Sequence, residues 1–414
     1  MTSVVVHRGA RDHYQLARAL QESGTLETLV TDLYWPKHAW WARMAGRMLP
    51  SAAQRKLAAR SEPALDDLKV RTCGVSGAIS HAASLLPSLP FPLRQQLVRW
   101  TDHTLGRKAQ RLAARRNAAI VSYSYYAYTA FLDAPAHLPR ILFQVHPHPT
   151  SVRAILRREL EAHPECRESL LKEWELSLSD EDYLHLVQET KSAQSWIVAS
   201  SFTKATMVEQ GIPAAKIAVA PYGVDLDWFT PARRADERTR PLRVLFVGTI
   251  NQRKGIRYLV DAIERLESSQ VHLTVCGRVV DDLSVLRSSR AAIDIRPNVS
   301  AQELREQYRA ADVFVLPSLA EGFGHVLIEA LACGTPVITT TRSAGPDLIR
   351  NGREGFVIEP ADSIGLAKTL QWCLDHRIDL LAMRELARAR AEQFTWAAFR
   401  SKVAAVVTES CSAS

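Results

Sequence analysis

The sequence predicts an α/β protein built from two tandem Rossmann-like domains that face each other across an interdomain cleft. Three observations predict it. The chain has 414 residues, more than one hydrophobic core usually supports, so two domains of roughly 150–250 residues are expected. Each half opens on the same plan of short apolar strand, glycine turn and amphipathic helix, the entry unit of a doubly wound sheet. Further short apolar runs of buried-strand type recur at the spacing of strands alternating with helices.

The first opening unit is the strand Ser3–Val6, the turn His7-Arg8-Gly9-Ala10 and a helix over roughly Tyr14–Glu22. Strands are then expected at Ala118–Ser122, Ile141–Val145 and Trp196–Ala199, with long helical tracts over roughly 93–116 and 151–192. Pro221–Arg240, rich in Pro, Gly and charge, reads as a linker. The second unit follows it: the strand Leu242–Val247, the turn Gly248–Gly255 and the helix Ile256–Leu266. Strands at Val271–Cys276, Ala291–Ile295, Val313–Leu316 and Val337–Thr340 complete that half. After a helix at Leu366–Asp375, a last helical stretch over 380–410 carries Phe394, Trp396 and Phe399.

Composition narrows the class. Apolar residues at 47% and charged residues at 23% are ordinary globular values and exclude disorder for the bulk of the chain. The net charge of +8 is unevenly placed. Residues 43–116 hold fourteen Lys/Arg against four acids, and residues 159–189 hold ten acids against two bases. A basic half-domain suits an anionic partner. No apolar run reaches the roughly 18 residues of a membrane helix. The start, Met1–Val6, reads as a strand rather than a signal peptide. Six scattered cysteines (73, 166, 276, 333, 373 and 411) without a CxxC pair suit reduced thiols, so a cytosolic protein is expected. No Cys stands near His146-Pro-His148 to complete a zinc site.

The strongest motif runs from Pro317 to Pro336. A strand ends at Pro317, a loop with Gly322 and Gly324 follows, and a helix leads to Gly334. The glycines let backbone approach a ligand closely, and the helix N-terminus offers free N–H groups to an anion. Glu321 sits in the loop, at the carboxyl end of a strand, where ligands of open α/β sheets bind. Glu329 lies further in among Val326, Leu327, Ile328 and Leu331. A carboxylate in that company needs hydrogen bonds, and two vicinal ribose hydroxyls would supply them. The second motif is Gly248…Arg253-Lys254-Gly255, again between strand and helix. Arg presents a planar fork to phosphate oxygens and Lys a mobile point charge, which together suit a departing diphosphate.

These residues resemble the family 4 retaining glycosyltransferases of the GT-B fold. The family's E-x7-E motif corresponds to Glu321…Glu329, and its basic pair to Arg253 and Lys254. Ala220–Asp225…Phe229-Thr-Pro231 resembles the interdomain signature, and Gly334–Ile338…Gly345–Ile349…Gly352…Gly355 the tail of the second domain. The resemblance is specific over about 195–375. It implies a nucleotide-diphosphate sugar donor, a glycan or lipid-linked acceptor, retention at the anomeric carbon, and neither cofactor nor metal. It implies an acceptor domain over 1–222 and a donor domain over 223–394, with a final helix, 395–414, packing back on the first.

Carried over residue by residue, Arg253 and Lys254 bind the donor diphosphate, Glu329 the ribose, and Glu321 the sugar hydroxyls. The backbone of Phe323, Gly324, His325 and Val326 sits beside sugar and phosphate. The donor's base and sugar are contacted near Gly277 and Arg296–Val299. His146, at the end of Ile141–Val145, stands where the family places a histidine facing the donor sugar, although Pro147 replaces the usual Asp. A structural histidine is the other reading of His146. Gly9 stands where the family has a richer glycine loop beside donor or acceptor.

Several features admit two readings. Asp180-Glu-Asp182 looks like a metal-binding DxD, but Ser179 before it reads better as a helix cap. Tyr123, Tyr125, Tyr126 and Tyr128 suit strand-edge packing better than an acceptor groove. The tract over 40–116, with Trp40, Trp41 and its Arg/Lys, suits a peripheral contact with an anionic membrane. Packing against the acidic tract is the plainer reading. No reading motif for nucleic acid accompanies the charge. The alternatives to a transferase are a non-catalytic sugar- or lipid-binding homologue, and a related GT-B phosphorylase or epimerase.

Overall fold

The computed structural model describes residues 1–36, 44, 54, 57–74, 76–77, 79, 91–232, 240–266, 270–280, 284–287 and 289–412. Their strands form two sheets, each parallel throughout. The first contains β1 (Ser3–Val6), β2 (Leu26–Thr31), β3 (Val70–Thr72), β4 (Ala119–Tyr123), β5 (Arg140–Gln144), β6 (Ser195–Val198) and β7 (Ile217–Val219). Its order is β3-β2-β1-β4-β5-β6-β7. The second contains β8 (Leu242–Val247), β9 (Val271–Cys276), β10 (Ala292–Arg296), β11 (Val313–Leu316), β12 (Val337–Thr340) and β13 (Gly355–Ile358), in the order β10-β9-β8-β11-β12-β13.

Strand order reverses beside β1 in one sheet and beside β8 in the other, which opens a crevice at the carboxyl end of each. The central strands are unbroken apolar runs because helices cover both faces. Every residue of β1 (SVVV) and β11 (VFVL) is buried.

The sequence reading omits β2, β3, β7 and β13. β3 and β7 are three residues long, too short for a period to register. β2 interleaves Glu27 and Thr28 with its apolar residues, and β13 is mostly half-buried. The expected helical tract over 151–192 is four helices: Pro149–Ala162, Arg167–Leu170, Trp174–Ser177 and Asp180–Ser192. Pro164 ends the first of them, since proline cannot continue the backbone ladder. The expected stretch over 380–410 is two helices, Arg377–Ala391 and Trp396–Ser412. Of the basic tract, Trp40, Trp41 and most residues between 37 and 90 lie outside the described residues. The described part includes a long helix, Phe91–Arg116, which buries Leu105, Ala109 and Ala113.

The helix Trp396–Ser412 lies against Gln15–Glu22 of the first domain. Its Phe399, Val403 and Val407 are buried in the same core as Leu16 and Leu20. Burying a side chain such as Phe399 contributes roughly 1.5–3 kcal/mol. Arg400 fixes the register, donating through Nε to Glu22 at 2.7 Å and through Nη1 to Gln15 at 2.8 Å. Just before this helix, Thr395 pairs with Val224 of the linker.

Candidate active site

The basic pair lies in a single turn of 3-10 helix, Gln252–Lys254, beyond β8. Asn251 caps the turn, its Oδ1 accepting from the Lys254 backbone N–H at 3.1 Å. Gly255 closes it with φ +75°, and a Cβ there would lie 2.0 Å from the Pro317 carbonyl oxygen, so only glycine lets the turn seat under the end of β11. Leu319 N–H donates to the Arg253 carbonyl at 2.9 Å, which binds the glutamate loop to the basic turn through backbone. Gly248 and Gly277 prolong the ladder past β8 and β9, donating to Cys276 and Arg296 at 3.0 and 3.1 Å.

Each cation of the pair has a carboxylate partner. Lys254 Nζ donates to Glu321 Oε2. Arg253 Nη1 donates to the Ala320 carbonyl at 3.2 Å, and Nε forms an ion pair at 2.8 Å with Glu173 Oε2, off the N–H axis. Glu173 comes from the first domain, just before the helix Trp174–Ser177, and its Oε1 also accepts from Asn251 Nδ2 at 2.5 Å.

Neighbouring side chains of the acidic tract reach the same turn or the helix Ile256–Glu264 after it. Glu159 accepts from Gln252 Nε2 at 2.6 Å and from the Tyr258 hydroxyl at 2.9 Å, and Glu165 pairs with Arg257 at 2.5 Å. Part of the acidic tract thus packs on the basic turn and the helix after it. Others meet first-domain bases, Asp182 pairing with Arg99 at 3.2 Å and Asp180 with Arg153 at 3.6 Å.

At Gly322 the close approach is to protein: a Cβ would lie 2.2 Å from the Val145 carbonyl oxygen. The Gly322 carbonyl accepts from the hydroxyls of Ser200 and Thr203. This joint sets the loop of the second domain on the end of β5. Gly324 then caps the helix His325–Ala332. Phe323 is buried and meets Tyr222 edge-on at 5.3 Å, while the His325 ring stacks on Tyr222 at 4.5 Å. Val326 is half-buried. Glu329, on the same helix, accepts from the Tyr308 hydroxyl at 2.8 Å.

His146 follows β5, beside Gly322, with its ring edge-on to Tyr125 at 5.4 Å. Tyr125 occupies a left-handed backbone position, φ +77°, in a turn held by Glu189. That buried carboxylate accepts from the backbone of Tyr125, Ala127 and Tyr128 at 2.5, 3.0 and 3.1 Å. Tyr123 and Tyr126 are buried, and Tyr128, which opens the helix Tyr128–Leu132, stacks on His185 at 3.9 Å, so these three are taken up in packing. His148 caps the helix Pro149–Ala162 through Nδ1, and Ser179 caps Asp180–Ser192. Gly9 N–H donates to Asp32 at 2.8 Å, at the end of β1. Among the described residues no three His, Cys, Asp or Glu side chains are grouped to hold a metal ion.

The charges of the cleft follow from burial and pairing. Desolvation would raise Glu321, but Lys254 and Arg253 outweigh it and hold its carboxyl at about 2. Desolvation opposes the charge of Arg253, yet Glu173, Glu321 and Glu175 raise its pKa further. His146 is lowered to about 3 by desolvation and then by Arg253, so its ring is neutral near pH 7. Desolvation also lowers His325, to about 4. It raises Glu329, against the hydrogen bond from Tyr308.

The structure thus brings His146, Arg253, Lys254, Glu321 and Gly322 into one cluster, with Glu329 further along its helix and Gly9 at the end of a different strand. Sequence reasoning missed Asn251 and Glu173, and it assigned Tyr125 to strand-edge packing, whereas the Tyr125 ring meets His146. Asn251 has a legible signal, a capping residue before the basic turn. Glu173 has none, since it reaches its partner from 80 residues away in the chain.

Residues 241–376 match the family model described as glycosyl transferases group 1. The D-inositol 3-phosphate glycosyltransferase of Arthrobacter sp. is 35% identical over 211 residues, covering 47% of this chain and 49% of the relative. The chain spans about half the length of the curated relatives it matches. Among solved structures, the sucrose-phosphate synthase of Thermosynechococcus elongatus superposes over 100% of both chains with a TM-score of 0.65 at 18% identity. Anabaena HepE in complex with UDP-glucose superposes over 99% of this chain and 100% of its own, with a TM-score of 0.59 at 15% identity. These structural matches carry the fold.

Proposed function

We propose that this protein, a chain of GT-B fold whose second domain belongs to the group 1 glycosyl transferases of family 4, is a retaining hexosyltransferase that uses a nucleotide-diphosphate sugar. One observation carries the reading. Arg253 and Lys254 share a single turn at the carboxyl edge of the second sheet, and each faces a carboxylate where a diphosphate would neutralise it. The donor diphosphate takes Arg253 and Lys254, and their charge stabilises it as it leaves. Losing one such contact costs roughly 3–4 kcal/mol of barrier. Glu329 binds the ribose, and Glu321, held ionised, favours an oxocarbenium-like sugar. His146, kept neutral, contacts the sugar ring. Attack comes from the face that the diphosphate leaves, and a phosphate oxygen takes the acceptor's proton. Residues of the chain then suffice without a metal.

The acceptor binds the first domain. The names of the curated relatives support an acceptor bearing hydroxyls and phosphate. A peripheral contact with an anionic membrane face rests on the helix Phe91–Arg116, where Trp100 is 46% exposed. No described helix is long and apolar enough to cross a membrane. Two experiments test these readings. Thermal shift against a panel of nucleotide sugars, followed by NMR of the product's anomeric configuration, is expected to give a stabilising donor and retention. Sedimentation with anionic liposomes is expected to be lost at high salt.

A further inference from the structure

Glu175 is a carboxylate beside Arg253 that has no protein partner among the described residues. It lies in the short helix Trp174–Ser177 of the first domain and is 4% exposed. Among the described residues it makes no hydrogen bond and no ion pair. It is near enough to Tyr125, Glu173 and Arg253 to act on their charges. Neither of its oxygens is fully enclosed, so water reaches them, and the hydroxyl donors of a ligand can take the place of that water. Its neighbour Trp174 is the opposite case, a large apolar ring left 48% exposed. The Trp174 ring meets Tyr125 edge-on at 6.1 Å, and Tyr125 in turn meets His146.

We infer that Trp174, Glu175 and Tyr125 form the acceptor subsite, and that it takes a neutral polyhydroxylated ring, a sugar or a cyclitol. The inference rests on the glycosyltransferase reading above. A sugar ring has an apolar face and a rim of hydroxyls. The exposed indole matches the face, and Glu175 accepts hydrogen bonds from the rim. Arg253 and Lys254 keep the diphosphate on the second domain, so the opposing first-domain wall is left for the acceptor. The charge of Glu175 repels an anion. Any phosphate on the acceptor therefore points away from this residue.

Saturation-transfer NMR on the full-length protein loaded with UDP tests the subsite, with D-glucose, myo-inositol and inorganic phosphate as probes. At least one of the two rings is expected to bind, with phosphate not displacing it. Glu175→Gln and Trp174→Ala are each expected to weaken that binding about tenfold or more, while Trp174→Ala leaves the Kd for UDP unchanged. Glucose binding alone assigns a sugar acceptor, and inositol binding alone a cyclitol. Failure of both rings to bind the UDP-loaded protein, or equal affinity in wild type and both variants, overturns the subsite and leaves the donor reading standing. Failure of UDP to bind overturns the donor reading itself. Trp174→Phe, which keeps an aromatic face, is expected to retain most of the affinity and separates stacking from misfolding.

Discussion

Glu173 of the first domain and Arg253 of the second form an ion pair at 2.8 Å across the cleft, so the side chain assigned to the donor diphosphate is already neutralised by its own protein. Asn251 holds the same carboxylate from the other oxygen. On the proposed reading, donor binding would exchange one anion for another at Arg253.

The exchange predicts the direction of one substitution. Glu173→Gln keeps an acceptor for Asn251 but removes the competing charge. UDP affinity by calorimetry is expected to rise about threefold to tenfold, the scale of a partly buried pair. The melting temperature is expected to fall, because Arg253 is left buried without its counter-ion. Weaker UDP binding would show instead that Glu173 orients Arg253 for the donor.

Lys254→Ala removes the main partner of Glu321. Its kcat/KM is expected to fall about 100-fold to 1,000-fold, the range for a lost charge-stabilising donor. The same variant carries a stability signature. The Glu321 carboxyl is depressed from 4.5 to about 2, so its contribution is complete above about pH 4.5 and is lost as pH falls toward 2. The difference in melting temperature between wild type and Lys254→Ala is expected to shrink as pH is lowered from neutral toward 3. A difference independent of pH would remove Glu321 from the pairing.

Gly322→Ala places a methyl group against the Val145 carbonyl. The loop must retreat from the first domain, carrying Glu321 away from His146. Both thermal stability and kcat/KM are expected to fall, with kcat/KM falling more than UDP affinity by calorimetry, because the basic turn itself stays on the second sheet. An alanine variant with wild-type turnover would show that this joint does not position the chemistry.

Tyr308→Phe removes the hydroxyl that donates to Glu329 at 2.8 Å. That hydrogen bond opposes the rise in the Glu329 pKa due to burial, so its loss raises the pKa further and favours the neutral form. Binding of UDP is expected to weaken by about tenfold, and the loss is expected to be smaller at higher pH, where the carboxyl ionises. Equal affinity across pH would place the ribose elsewhere.

The parts legible in the sequence are those that depend on near neighbours. β1, β8 and β11 announce themselves as apolar runs, and the basic turn and the glutamate loop follow directly from strand ends. Ser179 likewise declares a helix start rather than a metal ligand. What escaped depends on chain segments meeting in space. Glu173 looks like any acid on a solvated helix until the fold sets it against Arg253. Gly322 reads as room for a ligand, whereas Val145 of the other domain fills that room. β2 and β13 escaped because their half-buried positions blur the apolar pattern.

The pairing of Val224 with Thr395 has a mechanical consequence. Gly223 lies so close to Trp396 that a Cβ would fall 2.2 Å from the Trp396 nitrogen, so the two crossings between domains run side by side. Two strands crossing at one place act as a single hinge. Opening the cleft would then proceed as a swing about residues 223–224 and 395–396, with the travel largest where Glu173 and Glu159 grip the basic turn and Glu165 holds Arg257 beside it. Those carboxylates are the clasp at the free edge, and the crossing is the spine.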